Sequence, residues 1–198
     1  MEELTSRKEI RSLLNIGSPI QKFIDSLGPL GGNLFQLSGG SNSGKSKLTA
    51  LLVETLSRDG RKCAFFDIEN SGLYLRGFNR FDLNSNVKIF FSNTESEFLC
   101  DLDECEKEKV DVIVVDCLNL IEDLEMRTIA DKLKSMALDN NLFILVAMHT
   151  RKTSSQTHKR FEAIADFSAI VEKSGSEIFL ILKKKKSSNS EEGWLLSG

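Results

Sequence analysis

The sequence predicts an α/β fold, in which a mostly parallel sheet is flanked by helices and extended along one edge by antiparallel strands. Three observations support this prediction. Strand and helix patterns alternate along most of the chain. Two strand patterns, VDVIVVD at 110–116 and LFILVAM at 142–148, are continuous apolar runs of the kind that parallel sheets bury on both faces. From about residue 167 the helical patterns stop, and three strand patterns follow one another across turns containing Ser, Gly and Asn.

The chain divides into a short lead-in over 1–32 and one predicted core domain over 33–198. Within the lead-in, SPIQKFIDSLGPLGG favours a short helix followed by a turn. The core begins with a strand at 34–37, and two further strands are expected in CAFFDIE at 63–69 and in VKIFF at 87–91.

Three helices are expected between the strands of the core, each marked by apolar residues at helical spacing. The first ends at Asp59 and Gly60, and the second is otherwise acidic, which indicates a solvated outer face. Their apolar positions are Leu48, Leu51, Leu52 and Leu56; Phe98, Leu99, Leu102 and Cys105; and Met126, Ile129, Ala130, Leu133 and Met136.

The composition is that of a globular protein with no overall affinity for nucleic acid. The 198 residues are 40% hydrophobic and 28% charged, with a net charge of −3, so nucleic acid would have to bind to a local basic patch. No apolar run approaches the roughly 18 residues that span a bilayer, and the first ten residues are too charged for a secretion signal. We expect an intracellular protein, cytoplasmic or nuclear if the source is eukaryotic, without membrane association.

The four cysteines, at 63, 100, 105 and 117, give no sign of a metal site in the sequence. None forms a CxxC pair, and neither histidine lies at a metal-ligand spacing from them. Cys63 and Cys117 lie in or beside apolar strand patterns, where cysteine behaves as a small hydrophobe. The prediction is therefore four reduced, structural thiols.

A glycine-rich stretch, GGSNSGKS at 39–46, lies between the first strand and the first helix. It fits the pattern G-x-x-x-x-G-K-[ST], in which backbone N–H groups and a helix N-terminus bind phosphate. The alternative is an ordinary glycine-rich turn. The predicted nucleotide-binding residues are Gly39, Gly40, Ser41, Asn42, Ser43, Gly44, Lys45 and Ser46.

Two side chains of this stretch have distinct expected roles, and a third residue joins them. Lys45 is expected at the protein surface, reaching the β- and γ-phosphates, and the Ser46 hydroxyl is expected to ligate Mg²⁺. Asp116 ends the VIVVD strand and matches the strand-end Asp that holds Mg²⁺ in phosphate-loop enzymes. The expected ligands of the site are thus a nucleotide polyphosphate and Mg²⁺; the family resemblance described next implies that the nucleotide is ATP.

Four stretches in order, GGSNSGKS, FFDIEN, VDVIVVD and LFILVAMH, resemble the RecA superfamily, which includes bacterial and RadA-type recombinases, KaiC-like proteins and DnaB-type ring helicases. The resemblance extends from about residue 12 to the end, although only the phosphate loop is specific by itself. It implies that 33–198 is a RecA-like ATPase core.

The resemblance also implies roles for single residues. FFDIEN is similar to the recombinase stretch that ends in a catalytic glutamate, which gives Glu69 the role of orienting and deprotonating the attacking water. Asp67, two residues earlier on the same expected strand face, is the competing candidate. Arg76 corresponds to the residue that stacks on adenine, although an exposed arginine is often only solvated. His149 corresponds to the sensor of the γ-phosphate, and the alternative is a structural histidine.

Two basic segments match regions of the family that contact DNA or a neighbouring subunit. TRKTSSQTHKR at 150–160 corresponds to a flexible DNA-binding loop, with Arg151, Lys152, Lys159 and Arg160 as the DNA-binding residues; the alternative is an ordinary polar loop. The run KKKK at 183–186 corresponds to a pair that reaches the neighbouring subunit's ATP. This implies trans-acting Lys183 and Lys185, and the alternative is a basic edge strand that prevents aggregation.

The chain also departs from the family. CLNLIEDLEMRT at 117–128 is too short and acidic for the first DNA loop of recombinases, and the accessory domains of recombinases and ring helicases are not recognisable. The resemblance implies an ATPase acting on or with single-stranded DNA in recombination, repair or replication, in a homo- or hetero-oligomer with protein partners or paralogous subunits. The alternatives are a KaiC-like regulatory ATPase with protein partners and no DNA, or a weakly active nucleotide-binding subunit of a larger assembly.

Overall fold

The computed structural model describes residues 20–69, 86–122, 124–150, 155–184 and 192–197. Residues 20–27 are helical, and the elements that follow alternate as the sequence predicts. The strands are β1 (Asn33–Gly39), β2 (Cys63–Asp67), β3 (Val87–Phe90), β4 (Val112–Asp116), β5 (Phe143–His149), β6 (Phe167–Ser174), β7 (Glu177–Lys184) and β8 (Glu192–Ser197). The helices are α1 (Lys45–Arg58), α2 (Glu95–Glu108), α3 (Met126–Asp139) and α4 (Ser155–Ile164).

Within the described residues the eight strands form one sheet in the order β3-β2-β4-β5-β1-β6-β7-β8. The first six strands are parallel to their neighbours, and β7 and β8 are antiparallel additions at one edge. This confirms the predicted fold class, including the change from parallel to antiparallel pairing after residue 167.

The register brings the carboxyl ends of the central strands together. Gly39 at the end of β1 is paired with His149 at the end of β5 and with Val171 of β6, while Asp67 is paired with Asp116. In open α/β sheets, ligands bind outside the carboxyl ends of the strands. The glycine-rich loop, Asp116, Glu69 and His149 therefore lie at the edge where this fold class places its sites.

Both faces of the sheet are covered by apolar side chains of helices. Residues 20–27 and α1 pack on one face, and α2, α3 and α4 pack on the other. The strands are consequently buried on both sides; all seven residues of β1 and of β5 are buried. The lead-in contributes to this core, because Phe23 packs edge-on against Phe35 of β1 with ring centroids 5.7 Å apart.

The segment after Asp116 is fastened to the start of α2. It forms a short 3₁₀ turn at Leu118–Leu120 with Ile121 buried, and the Glu122 N–H donates to the Asn93 carbonyl at 3.1 Å. The start of α2 is itself fixed by a capping box between Thr94 and Glu97, and the Asn93 and Thr94 N–H groups lower the pKa of the Glu97 carboxyl.

Two predicted boundaries are wrong. The basic stretch 150–160 was expected to be one loop, but α4 begins at Ser155, so Lys159 and Arg160 lie on a helix. The strand expected over 63–69 ends at Asp67, and Glu69 lies in the following turn. The start of α4 was missed because a polar helix gives only a weak periodic signal. The end of β2 was placed too late because Ile68 extends the apolar pattern beyond the last paired residue, Asp67.

In the part of the chain described, no helix has the length and apolar character needed to cross a membrane.

Candidate active site

The glycine-rich loop joins β1 to α1 through backbone conformations that favour glycine. Gly44, the N-cap of α1, has φ 97°, and a Cβ there would lie 2.8 Å from Ile178 Cδ1. At Gly39 an added Cβ would lie 2.6 Å from Ser43 Oγ and 2.7 Å from the Val171 carbonyl oxygen. Glycine at both positions lets the loop fold tightly against the β6–β7 hairpin.

Lys45 is buried, so the expectation of a surface lysine is wrong. Only 3% of the residue is exposed, and Nζ donates to the carbonyl oxygens of Gly39 at 3.1 Å and Gly40 at 2.9 Å. Nζ also lies 3.4 Å from His149 Nδ1. The loop therefore folds around its own ammonium group, and a polyphosphate would have to compete with these carbonyls for it.

The loop contains a buried polar atom that fits a phosphate ligand. Ser43 is 6% exposed, and its Oγ has no hydrogen-bond partner among the described residues. A buried hydroxyl without a partner is costly, and a phosphate oxygen would satisfy it.

Thr49 links the first turn of α1, which carries Ser46, to Asp116, the other predicted Mg²⁺ ligand. Thr49 Oγ1 is 3.0 Å from the Ser46 carbonyl oxygen and 3.4 Å from Asp116 Oδ2, and Asp116 is buried. A hydroxyl and a carboxylate are the oxygen ligands that Mg²⁺ takes at nucleotide sites. The donor set at this edge of the sheet therefore fits a magnesium–nucleotide complex.

His149 connects Lys45 to Glu69. Its Nε2 lies 2.5 Å from Glu69 Oε1, while its Nδ1 faces the Lys45 ammonium. Because an ammonium group only donates, Nδ1 must accept, and the neutral ring carries its proton on Nε2 and donates it to Glu69. The imidazole is thus held as one tautomer between a cation and a carboxylate.

Asn119 holds His149 in place, a role that the sequence analysis missed. The backbone N–H of His149 donates to Asn119 Oδ1 at 3.0 Å, and Asn119 Nδ2 donates to the backbone carbonyl oxygen of His149 at 3.2 Å. The available signal was a single amide between two leucines, three residues after the strand-end Asp116.

Glu69 and Asp67 occupy different environments. The turn after β2 is fastened by the Ile68 and Glu69 N–H groups, which donate to the Asp116 carbonyl oxygen at 2.8 and 3.3 Å. Asp67 is 2% exposed, whereas 28% of the Glu69 side chain is exposed. The two carboxylates were expected on one strand face, but the turn separates them and leaves Glu69 as the one that water reaches.

Cys117 is a second residue whose position could not be seen in the sequence. Its thiol is buried and donates to Asp116 Oδ1 at 3.0 Å, and burial, with Asp116 beside it, raises the pKa of the thiol far above its usual range. The Cys117 Sγ, Glu69 carboxylate and His149 ring nitrogen lie within 4.8 Å of one another. Sequence spacing suggested no such group, because its members come from three separate strand ends.

Other predicted residues lie elsewhere or outside the description. Lys159 is exposed on α4, and Lys183 is half-buried on β7. The described residues include the backbone of Arg160 but not its side chain. Outside them lie Arg76, Arg151, Lys152 and Lys185.

No protein-family model matches the sequence, and no curated protein matches it either. Among solved structures, the chain is similar to a KaiC-like protein from the hyperthermophilic archaeon Pyrococcus horikoshii OT3, with 16% identity and a TM-score of 0.65. The match covers 83% of this chain and 85% of the archaeal chain. The chain therefore has the RecA-like fold that its four motifs imply.

Proposed function

We propose that the chain binds ATP with Mg²⁺ and hydrolyses it at the carboxyl edge of the sheet. The observation that carries the proposal is the contact series from the phosphate-loop Lys45 through His149 to the accessible Glu69. A cation, a hydrogen-bonding ring and a carboxylate beside a phosphate loop are what γ-phosphate hydrolysis requires.

Each residue has a defined task in this reaction. Lys45 exchanges its hydrogen bonds to the Gly39 and Gly40 carbonyls for contacts with the β- and γ-phosphates. This draws the ammonium away from His149 Nδ1, and the change at the ring is transmitted to Glu69 through the contact with Nε2. Glu69 accepts a proton from the water whose oxygen attacks the γ-phosphorus, and the bond to the bridging oxygen breaks to release ADP and phosphate. Ser46 and Asp116 would hold Mg²⁺, which supplies charge neutralisation on the phosphates.

We further propose that the chain acts on or with single-stranded DNA in recombination, repair or replication. The support is the basic stretch 150–160, which has no acidic residue and begins directly after His149. Lys159 is exposed and lines a cleft together with Thr150 and Lys183, although Glu162 also lines it. A basic segment next to the γ-phosphate sensor would couple nucleotide state to DNA affinity.

Neutralising Arg151, Lys152, Lys159 and Arg160 with glutamine should weaken binding to single-stranded DNA. Fewer phosphate contacts release fewer counterions, so the slope of log K against log salt should become shallower by up to about 3. Fluorescence anisotropy with a labelled oligonucleotide over a salt series measures both effects.

The matched control replaces four exposed cations near the amino ends of the strands, opposite the carboxyl ends where the site lies: Arg61, Lys62, Lys107 and Lys109. This control should keep the wild-type slope. Wild-type affinity at every salt concentration in the first variant would remove the DNA role from this segment.

A regulatory ATPase with protein partners and no DNA is the second candidate, and a weakly active subunit of a larger assembly is the third. The observation that favours the second is the acidic segment after Asp116, which is fastened to α2 where recombinases carry a DNA loop. Turnover measured with and without single-stranded DNA separates the candidates, because DNA stimulation is expected only from the first and little turnover from the third.

We also propose that the site is completed by Lys183 and Lys185 of a neighbouring subunit in an oligomer. The register supports this, since the end of β7 pairs with Ser168, which is paired with Gln36 in the middle of β1. The backbone of Lys183 therefore lies two to three residues before the carboxyl edge at which its own phosphate loop begins. A cation supplied in trans is worth about 10³–10⁵ in the turnover of comparable phosphoryl-transfer enzymes.

Mixing two inactive variants should restore turnover. A Lys45→Ala chain still offers its lysines, and a chain with Lys183 and Lys185 replaced by alanine still binds ATP. In a random 1:1 mixture about a quarter of the interfaces would combine an intact loop with intact lysines. Steady-state ATPase rates of each variant and of the mixture measure this.

Two results would contradict the shared site. One is a mixture no more active than its components at any protein concentration. The other is a variant without Lys183 and Lys185 that retains full turnover and loses only DNA affinity. That result would assign these lysines to DNA binding at the cleft that Lys159 lines.

A further inference from the structure

Glu69, Cys117 and His149 form a cluster that the proposed hydrolysis uses only in part. Their ligand atoms, a carboxylate oxygen, a sulfur and a ring nitrogen, lie within 4.8 Å of one another. Among the described residues no other cluster of three such groups reaches this proximity. Glu69 and His149 have roles in the proposed reaction, whereas the buried Cys117 thiol has none.

The three donors match one class of ion. Zn²⁺ takes sulfur, nitrogen and oxygen ligands, and sites with three protein ligands keep a fourth position for water. Mg²⁺ takes only oxygen ligands, and a thiolate therefore discriminates against it. We propose that the Glu69–Cys117–His149 cluster binds Zn²⁺, and that the bound ion stops ATP hydrolysis by occupying Glu69. The inhibition rests on the proposed function, whereas the binding does not.

The cluster needs small movements to close around the ion. Donor atoms around tetrahedral Zn²⁺ lie about 3.3–3.7 Å apart. The 2.5 Å contact between His149 Nε2 and Glu69 Oε1 must therefore open by about 1 Å. Glu69 can supply this movement, because it lies in a turn and its side chain is partly exposed. Asn119 fixes the backbone of His149, whose side chain is buried, and Cys117 is packed in the core, so these two ligands have little room to move.

Binding rearranges two protons. The Cys117 thiol gives up its hydrogen bond to Asp116 Oδ1, releases its proton to solvent and coordinates as the thiolate, whose charge the ion offsets. The His149 proton moves from Nε2 to Nδ1, so that the Nε2 lone pair faces the ion. Lys45 then loses its ring acceptor and keeps the Gly39 and Gly40 carbonyls. Anything that draws Lys45 away from His149 should favour the ion, and a bound polyphosphate does this.

The coordinated state is expected to bind ATP without hydrolysing it. The phosphate loop, Lys45 and Ser46 remain available for the nucleotide. The Glu69 carboxylate, with its lone pair on the ion, can no longer accept the proton of the attacking water. Bound ATP draws Lys45 away from His149 and so favours Zn²⁺. Because coupling between two ligands is reciprocal, bound Zn²⁺ should strengthen ATP binding by the same factor.

Titration of the full chain with Co²⁺ alone, used as a spectroscopic substitute for Zn²⁺, tests the site. We expect a thiolate-to-cobalt charge-transfer band in the near ultraviolet and the strong visible bands of a tetrahedral ion. Cys117→Ser should lose the charge-transfer band and weaken Co²⁺ binding by roughly tenfold or more. Cys100→Ser, which removes an exposed thiol on α2, is the matched control and should keep both.

His149→Gln provides a second test that leaves the thiol in place and should also remove the tetrahedral spectrum. Circular dichroism establishes that each variant is folded. Absence of the charge-transfer band in the wild-type chain, or its survival in Cys117→Ser, would overturn the site.

Turnover separates the two parts of the inference. Added Zn²⁺ should lower the ATPase rate of the wild type and of Cys100→Ser while ATP binding persists, and the residual rate of Cys117→Ser should be insensitive to it. Cobalt binding with a Zn²⁺-insensitive rate would overturn the inhibition alone. A chain with no turnover under any condition would contradict the proposed function, while the cobalt spectrum would still decide the site.

Discussion

Lys45→Ala should abolish ATP binding and lower turnover by about 10²–10³-fold or more, because the ammonium that faces the phosphates is removed. The Lys45 ammonium contacts the loop carbonyls of both Gly39 and Gly40. Equilibrium binding of a fluorescent ATP analogue and steady-state phosphate release measure the two effects.

The variant should remain folded, although Lys45 is buried. Gly40 is partly exposed, so water can replace the lost ammonium donor there, and the Gly39 carbonyl still accepts from the Thr150 N–H at 3.1 Å. Lys47→Ala is the matched control, since Lys47 is exposed on the same helix two residues later. Unchanged ATP affinity in Lys45→Ala would remove the phosphate-loop assignment.

Glu69→Gln should bind ATP as the wild type does and lose about 10²–10⁴-fold in turnover. The amide retains an oxygen that can accept from His149 Nε2, so the geometry persists, but it cannot take a proton from water. Binding measured by equilibrium dialysis, next to single-turnover hydrolysis, separates the two effects.

Asp67→Asn is the comparison for this prediction. Asp67 is almost fully buried beside Asp116, so its replacement should affect stability more than the chemical step. If Asp67→Asn alone removed turnover while Glu69→Gln left it intact, the base would be Asp67, and the contact between Glu69 and His149 would be structural.

The sequence alone determined the features that depend on neighbouring residues. The continuous apolar runs of β4 and β5 indicate strands buried on both faces, because runs of this length are typical of strands and too short for most helices. The glycines at 39 and 44 specify a tight loop, because added side chains would collide there or require an unfavourable φ. The order of these local patterns was enough to predict the fold class and the phosphate loop.

The tertiary structure decided which separated residues meet. Lys45 and His149 are 104 positions apart, and Glu69 and His149 are 80 apart, yet each pair is in contact at the carboxyl edge. Parallel strands require long crossovers, so the residues at one edge of the sheet come from distant parts of the chain and no local pattern records their pairing. For the same reason the support from Asn119 and the meeting of Cys117 with Glu69 and His149 follow only from the strand order and register.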